Sequence, residues 1–179
     1  MTSPDLIPAP ELPGPRLEPG LALPRYRYVP GVLPHPFRDP NGHDHLATLD
    51  LPDPAWTTDQ GWAANVHHRY ALDLFENRFY WESHEVWEDV WLLLPRPSAE
   101  RELLQALIQV AAATLKRHMG SVRAPVTLTD RARARLAQAR SAGEVVCGVD
   151  IGALEARLDT GDPWPRLTVD PTWFASTPV

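Results

Sequence analysis

Residues 79–91, Phe79-Tyr80-Trp81-Glu82-Ser83-His84-Glu85-Val86-Trp87-Glu88-Asp89-Val90-Trp91, gather most of the side chains in this chain that could do chemistry. Three tryptophans, a tyrosine, a histidine and three glutamates fall within thirteen residues that hold neither glycine nor proline. On a helix at about 100° per residue, His84 and Glu88 lie one turn apart, on the side of Tyr80, Trp87 and Trp91. A surface helix does not need three indoles, and a plain core helix does not need a histidine beside carboxylates. The spacing predicts a polar pair set into an aromatic hollow shielded from solvent.

His84-Glu85-Val86-Trp87-Glu88 is an HExxE pattern, related to the HExxH zinc helix in which residues four apart reach one ion. An imidazole and a carboxylate at that spacing could share a divalent Zn, Mn or Fe ion. Glu85 or Glu82 would then serve as general base in a metal-dependent hydrolysis. Trp81, Trp87 and Trp91 would bind a planar or apolar part of a small-molecule substrate. One helix supplies too few ligands. Further donors are expected from the loop His35-Pro36-Phe37-Arg38-Asp39-Pro40-Asn41-Gly42-His43-Asp44-His45, chiefly His35 and His43, with Asp39 and His45 beside them.

The same residues admit a second account without chemistry. Gln105 and Gln109, again one turn apart and facing inward among leucines, could join His84 and Glu88 in a buried hydrogen-bond network. Such a network fixes helix register. Function would then lie in oligomerisation or partner binding. His67 and His68 read as a solvated pair, and His118 suits the negative end of a helix dipole. Arg131, Arg133, Arg135 and Arg140, with Lys116, Arg117 and Arg123 nearby, read as a solvated basic face.

These residues need helices to position them. Thirteen of the 20 prolines lie in the first 60 residues, which predicts an extended or looped segment there. Residues 1–23 are expected to be a flexible tail. Residues 24–60 carry Tyr26, Tyr28, Val29, Leu33, Phe37 and Leu46 and are expected to wrap a helical domain at 61–162, with a tail at 163–179. Helices are predicted over Gly61–Glu76, ended by a left-handed Asn77, and over Phe79–Leu94, ended at Pro95. A third should open on the cap Ser98 and stop near Gly120. A fourth should open on the capping box Thr127-Leu128-Thr129-Asp130 and run to Arg140. A fifth, capped by Asp150, should close at Gly161. No strand pattern of useful length appears, Val145-Val146-Cys147 being too short. The fold class is all-α, a compact multihelical bundle of about five helices wrapped by an irregular Pro-rich segment.

Composition narrows the partners. Hydrophobic residues make up 44% of the 179 and charged residues 22%, enough for a real core. A net charge of −6 speaks against general nucleic-acid or anionic-membrane binding. Cys147 is the only cysteine, so neither an intrachain disulfide nor a thiolate cluster can form, and it reads as a buried apolar residue. The start Met1-Thr2-Ser3-Pro4-Asp5 lacks the basic and apolar stretches of a secretory signal. The expectation is a soluble cytoplasmic protein with a small-molecule substrate, no nucleic acid, no membrane, and a homo-oligomer as one option.

The chain also resembles a known family. Leu74-Phe75, Phe79 and Glu82-Ser83-His84-Glu85-Val86-Trp87-Glu88-Asp89-Val90-Trp91, followed by Gln105-Ala106-Leu107-Ile108-Gln109-Val110-Ala111-Ala112-Ala113 and Lys116 to Gly120, are similar to the bacterial and archaeal domain of unknown function 309. Two motifs in order and at the right distance carry the resemblance, over about residues 62–142. Pro30-Gly31 and His35-Pro36 to Gly42-His43 look similar to an N-terminal extension of some members. Glu76 stands for a usual asparagine, Arg78 for a frequent glycine and Ala106 for a usual glycine. The polar residues Glu82, His84, Glu85, Glu88, Gln105 and Gln109 are all present. The resemblance implies a compact multihelical domain, catalogued as a candidate metal-dependent hydrolase with no established activity.

Overall fold

The computed structural model describes residues 16–45, 51–56, 59–162 and 165–169. Among them are α1 (Val66–Glu76), α2 (Tyr80–Leu93), α3 (Ala99–His118), α4 (Arg123–Ala139) and α5 (Ile151–Asp159). A hairpin of two-residue strands, β1 (Val145–Val146) and β2 (Val149–Asp150), precedes α5. The fold is a helical bundle in which α3 packs on α2 and α4, and α1 packs on α2. No described helix is long and apolar enough to cross a membrane.

Local chemistry sets the helix ends. The Asn65 side chain accepts from the His68 amide and starts α1, so the predicted first helix divides into a 3-10 turn, Asp59–Ala64, and α1 proper. Ser98 caps α3 by accepting from Arg101, and Asp150 caps α5 by accepting from Ala153. The fourth helix begins earlier than its capping box suggested. Pro125 falls in its first turn, where no amide is needed, and the Thr127–Asp130 box lies inside the helix.

The left-handed stop between α1 and α2 is Arg78, not Asn77: Arg78 has φ +67° and Asn77 −90°. The Phe79 amide reaches the Leu74 carbonyl at 2.8 Å and the Arg78 amide reaches Phe75 at 2.9 Å. That pair of bonds is the Schellman closure, which orients α2 against α1.

The core holds Trp87, Tyr70, Tyr80, Phe75, Leu103, Leu107 and Leu136, all buried. Small residues Ala106, Ala111, Ala132 and Ala139 let α2, α3 and α4 approach closely. His67 and His68 are both buried rather than solvated: His68 meets the hairpin and the Trp56 and Trp62 indoles, and His67 lines a cavity with Pro52 and Trp56. His68 Nε2 donates to the Cys147 carbonyl at 2.9 Å, and its Nδ1 accepts from Trp87 Nε1 at 3.1 Å. The ring is thereby held neutral in one tautomer, linking the hairpin to α2 across α1. His118 stacks on Tyr80. Cys147 is buried, as expected.

The segment before α1 is packed. Asp73 accepts from the amides of Leu17 and Glu18, each at 2.8 Å, and the Tyr70 hydroxyl donates to Ala22 O at 2.7 Å. Arg27 Nε donates to Asn77 O at 2.9 Å. The loop 35–45 closes tightly on itself, and a Cβ at Gly42 would sit 2.1 Å from the Pro36 carbonyl oxygen. Downstream of α5, the Leu167 amide donates to Glu76 Oε1 at 2.6 Å. Residues 1–15, 46–50 (with Leu46) and 170–179 lie outside the described residues.

Candidate functional site

α2 has three working edges. Tyr80, Ser83, Trp87 and Val90 turn into the core, all buried. Glu82, Glu85, Val86 and Asp89 line a cavity. His84 and Glu88 lie along the edge between cavity and solvent.

On that outer edge the donor atoms of His84, Glu85 and Glu88 all lie within 4.8 Å of one another. His84 Nδ1 bonds the Trp81 carbonyl one turn back. A carbonyl only accepts, so Nδ1 carries a hydrogen, and in the neutral ring the lone pair lies on Nε2. That nitrogen lies 3.3 Å from Glu85 Oε1. Burial raises the Glu85 pKa, with the neighbouring acids Glu88 and Asp89 adding to it and His84 and Arg38 opposing. The predicted shielding is not found: Glu88 is exposed, and the His84 side chain is 20% exposed. The reason is rotational. The core takes Trp87, and His84 and Glu88 follow it only as far as the rim.

Trp81 is the aromatic hub. Tyr28, His35, Phe37 and His84 place their ring centroids 5.0, 5.4, 5.7 and 6.0 Å from it. His35 is therefore an aromatic neighbour of the indole and not a member of the donor group. His43 is not a member either. Among the described residues His84, Glu85 and Glu88 are the one group of three such donors that converges.

His43 instead meets Glu82. The Glu82 carboxylate is 5% exposed, at the base of a cavity of about 210 Å³ between the N-terminal segment and helices α1 and α2. Its Oε1 accepts from the Tyr28 amide at 2.8 Å and faces His43 Nε2 at 3.1 Å. Its Oε2 is buried without a partner among the described residues. His43 Nδ1 lies 2.8 Å from Asp44 Oδ2. Burial raises the Glu82 pKa, outweighing His43 and the Tyr28 amide. Burial opposes charge on His43, but Glu82 and Asp44 outweigh it and raise its pKa too. His43 and Glu82 therefore both hold a proton more firmly than they would free in water. Tyr70, on the cavity's α1 side, has its phenol pushed up to about 12 by burial, so it stays a neutral donor.

The remaining predicted residues are dispersed. Trp87 is fully buried and serves the core. Trp91 is covered by Arg101, whose guanidinium sits 3.9 Å over its ring. Gln105 lines a separate cavity of about 440 Å³ with Trp91, Arg96, Arg101, Glu102 and Arg135. Gln109 leaves its Oε1 unpartnered among the described residues, and no hydrogen bond there joins either glutamine to His84 or Glu88. The proposed four-residue network therefore does not form: α3 presents its glutamines to another side of α2. Asp44 and Asp89 escaped the sequence reading. Asp89 could have been found, since Glu82, Glu85 and Asp89 recur at helical spacing; Asp44 depends on loop closure.

Residues 68–128 match the family described as Domain of unknown function (DUF309). The match includes Glu82 and the His84 group and leaves out His43 and Asp44. No curated protein and no solved structure matches the chain.

Proposed function

The chain belongs to the domain of unknown function 309 family, and from the outer edge of α2 we propose that it is a metal-dependent hydrolase with His84, Glu85 and Glu88 as ligands. The observation that carries this reading is the Trp81 carbonyl, which occupies His84 Nδ1 and leaves Nε2, beside Glu85, as the nitrogen available to an ion in a donor group completed by Glu88. Backbone orientation of the non-ligating nitrogen is what metal-binding histidines require. Three protein donors on a partly solvated rim leave room for water and substrate, as catalytic sites do and closed structural sites do not. One imidazole and two carboxylates suit Zn, Mn or Fe.

A bound ion would supply Lewis-acid polarisation of the scissile bond. Glu85 belongs to the donor group and also lines the cavity, so it is placed to take up and return a proton between them. Trp81, with Phe37, forms an apolar flank on the cavity side. The alternative, a non-enzymatic helical module, draws on Trp87, since that indole of the motif serves a buried hydrogen-bonded lock with His68.

The test is metal binding by protein stripped with chelator and titrated with Zn²⁺ and Mn²⁺. One ion per chain is expected. Loss of an outer orienting group weakens metal binding about 10–100-fold, so His84→Ala should lose at least that much while keeping its melting temperature. No ion bound, or wild-type affinity in His84→Ala, refutes the site. Metal binding without metal-dependent cleavage across a panel of ester, amide and phosphate substrates would leave the ion and remove the hydrolase.

A further inference from the structure

We propose that the cavity beneath the N-terminal segment binds a small organic cation, a primary ammonium on a short apolar body. This rests on the cavity alone and does not need the metal at His84.

Four carboxylates line the cavity: Asp44, Glu82, Glu85 and Asp89. No lysine or arginine does so among the described residues. His43, which meets the cavity's Glu82, is already held between Glu82 and Asp44. The space is therefore negative on balance, in a setting where burial strengthens the attraction for a cation. Glu82 Oε2 makes the case specific. A buried carboxylate oxygen without a donor is a costly arrangement, and Glu82, whose Oε2 has none among the described residues, lines this cavity, where a donor can enter. An ammonium offers three donors to match several acceptors, and it can also rest against the faces of Trp81 and Phe37.

Size and chemistry choose among cations. About 210 Å³ exceeds the roughly 30 Å³ share of one water but falls below the roughly 300–1,000 Å³ of drug-sized sites, so the ligand is small. Leu74, Val86 and Leu51 line the rest of the cavity and favour hydrocarbon over hydrated metal. Asp44, Glu82 and Asp89 do not converge as a three-donor group, which a metal ion would need. The cavity joins α2, inside the family match, to Asp44, outside it.

The test uses chelator-treated full-length protein and three isosteric probes: benzylamine, benzyl alcohol and benzoate, measured by calorimetry. Benzylamine should bind at least tenfold more tightly than benzyl alcohol, and benzoate should not bind. Glu82→Gln should abolish the preference, and His84→Ala should leave it unchanged, which separates this site from the metal site. Should Glu82→Gln fail to fold, Asp89→Asn at the exposed rim must still weaken benzylamine without altering benzyl alcohol. Equal binding of amine and alcohol, no binding of the amine, or unchanged amine affinity in Asp89→Asn overturns the proposal. So does displacement of benzylamine by stoichiometric Mn²⁺ in His84→Ala, which would assign the cavity to a metal ion.

Discussion

Acid should destabilise this protein through one imidazole, His68. The ring is fully buried, boxed by Trp56, Trp62 and Trp87, and spends both nitrogens on protein groups. Protonating Nδ1 would set a second donor against the Trp87 indole N–H. Burial lowers the pKa to about 4, with the Cys147 carbonyl opposing and Arg69 adding to the fall. Between pH 6.5 and about 4 the unfolded chain carries a proton on His68 and the folded chain does not, so acidification favours unfolding. The contribution is intact above pH 6.5, shrinks through that window and levels off below it. A shift of that size corresponds to roughly 3 kcal/mol, at 1.36 kcal/mol per unit. Glu82, Glu76 and Asp73 act in the opposite sense, because their folded pKa values are raised. The clean measurement is therefore a difference. Urea unfolding of wild type and His68→Gln from pH 7.5 to 4 should show the two stabilities converging on wild type's steeper loss, by about 3 kcal/mol in all. Glutamine keeps a donor and an acceptor but does not titrate. Parallel curves, or a His68 ring that titrates near pH 6.5 by NMR, would refute the reasoning.

Two backbone positions give further tests. Gly148 has φ +73°, and a Cβ there would meet the Trp62 ring at 2.4 Å, so Gly148→Ala should lose roughly 1–3 kcal/mol in urea unfolding. An unchanged midpoint would mean that Trp62 moves freely. Arg78 holds the left-handed closing position at φ +67°, where a side chain costs about 1–2 kcal/mol. Arg78→Gly should therefore raise the urea midpoint, by up to about 1 kcal/mol of stability once the glycine's added unfolded-state freedom is subtracted. A lower midpoint would show that contacts of the arginine outweigh its strain.

Much of the bundle could be read from the sequence because it depends on local rules. Ser98 and Asp150 cap helices where their side chains reach the third amide ahead, and Pro95 and Gly120 mark stops. The errors at Asn77 and at Thr127–Asp130 have one origin. Residue type names candidate caps, but packing selects among neighbours: Arg78 is left-handed because the chain must reverse there to lay α2 on α1. His67 and His68 read as solvated in the sequence because their cover is not local: the hairpin nearly 80 residues later supplies the Cys147 carbonyl to His68, and the 52–56 segment lies beside His67.

The candidate site divides along the same line. The spacing puts His84 and Glu88 one turn apart on one side of a helix, and the structure brings Glu85 to them. Spacing cannot say which edge of α2 the rest of the protein covers. That was decided by the N-terminal segment, whose Tyr28 amide and His43 ring reach Glu82 from 54 and 39 residues away. The shielding expected for Glu88 falls instead on Glu82: Glu82 is the buried carboxylate, and Glu88 is the solvated one. Glu85, between them, belongs to both the donor group and the cavity. A ligand held in the cavity and an ion held at the rim would therefore meet through that one side chain. Glu85→Gln should weaken both kinds of binding, whereas His84→Ala should affect the rim alone and Asp89→Asn the cavity alone. This asymmetry follows from the geometry of a single helix whose neighbouring edges face different surroundings.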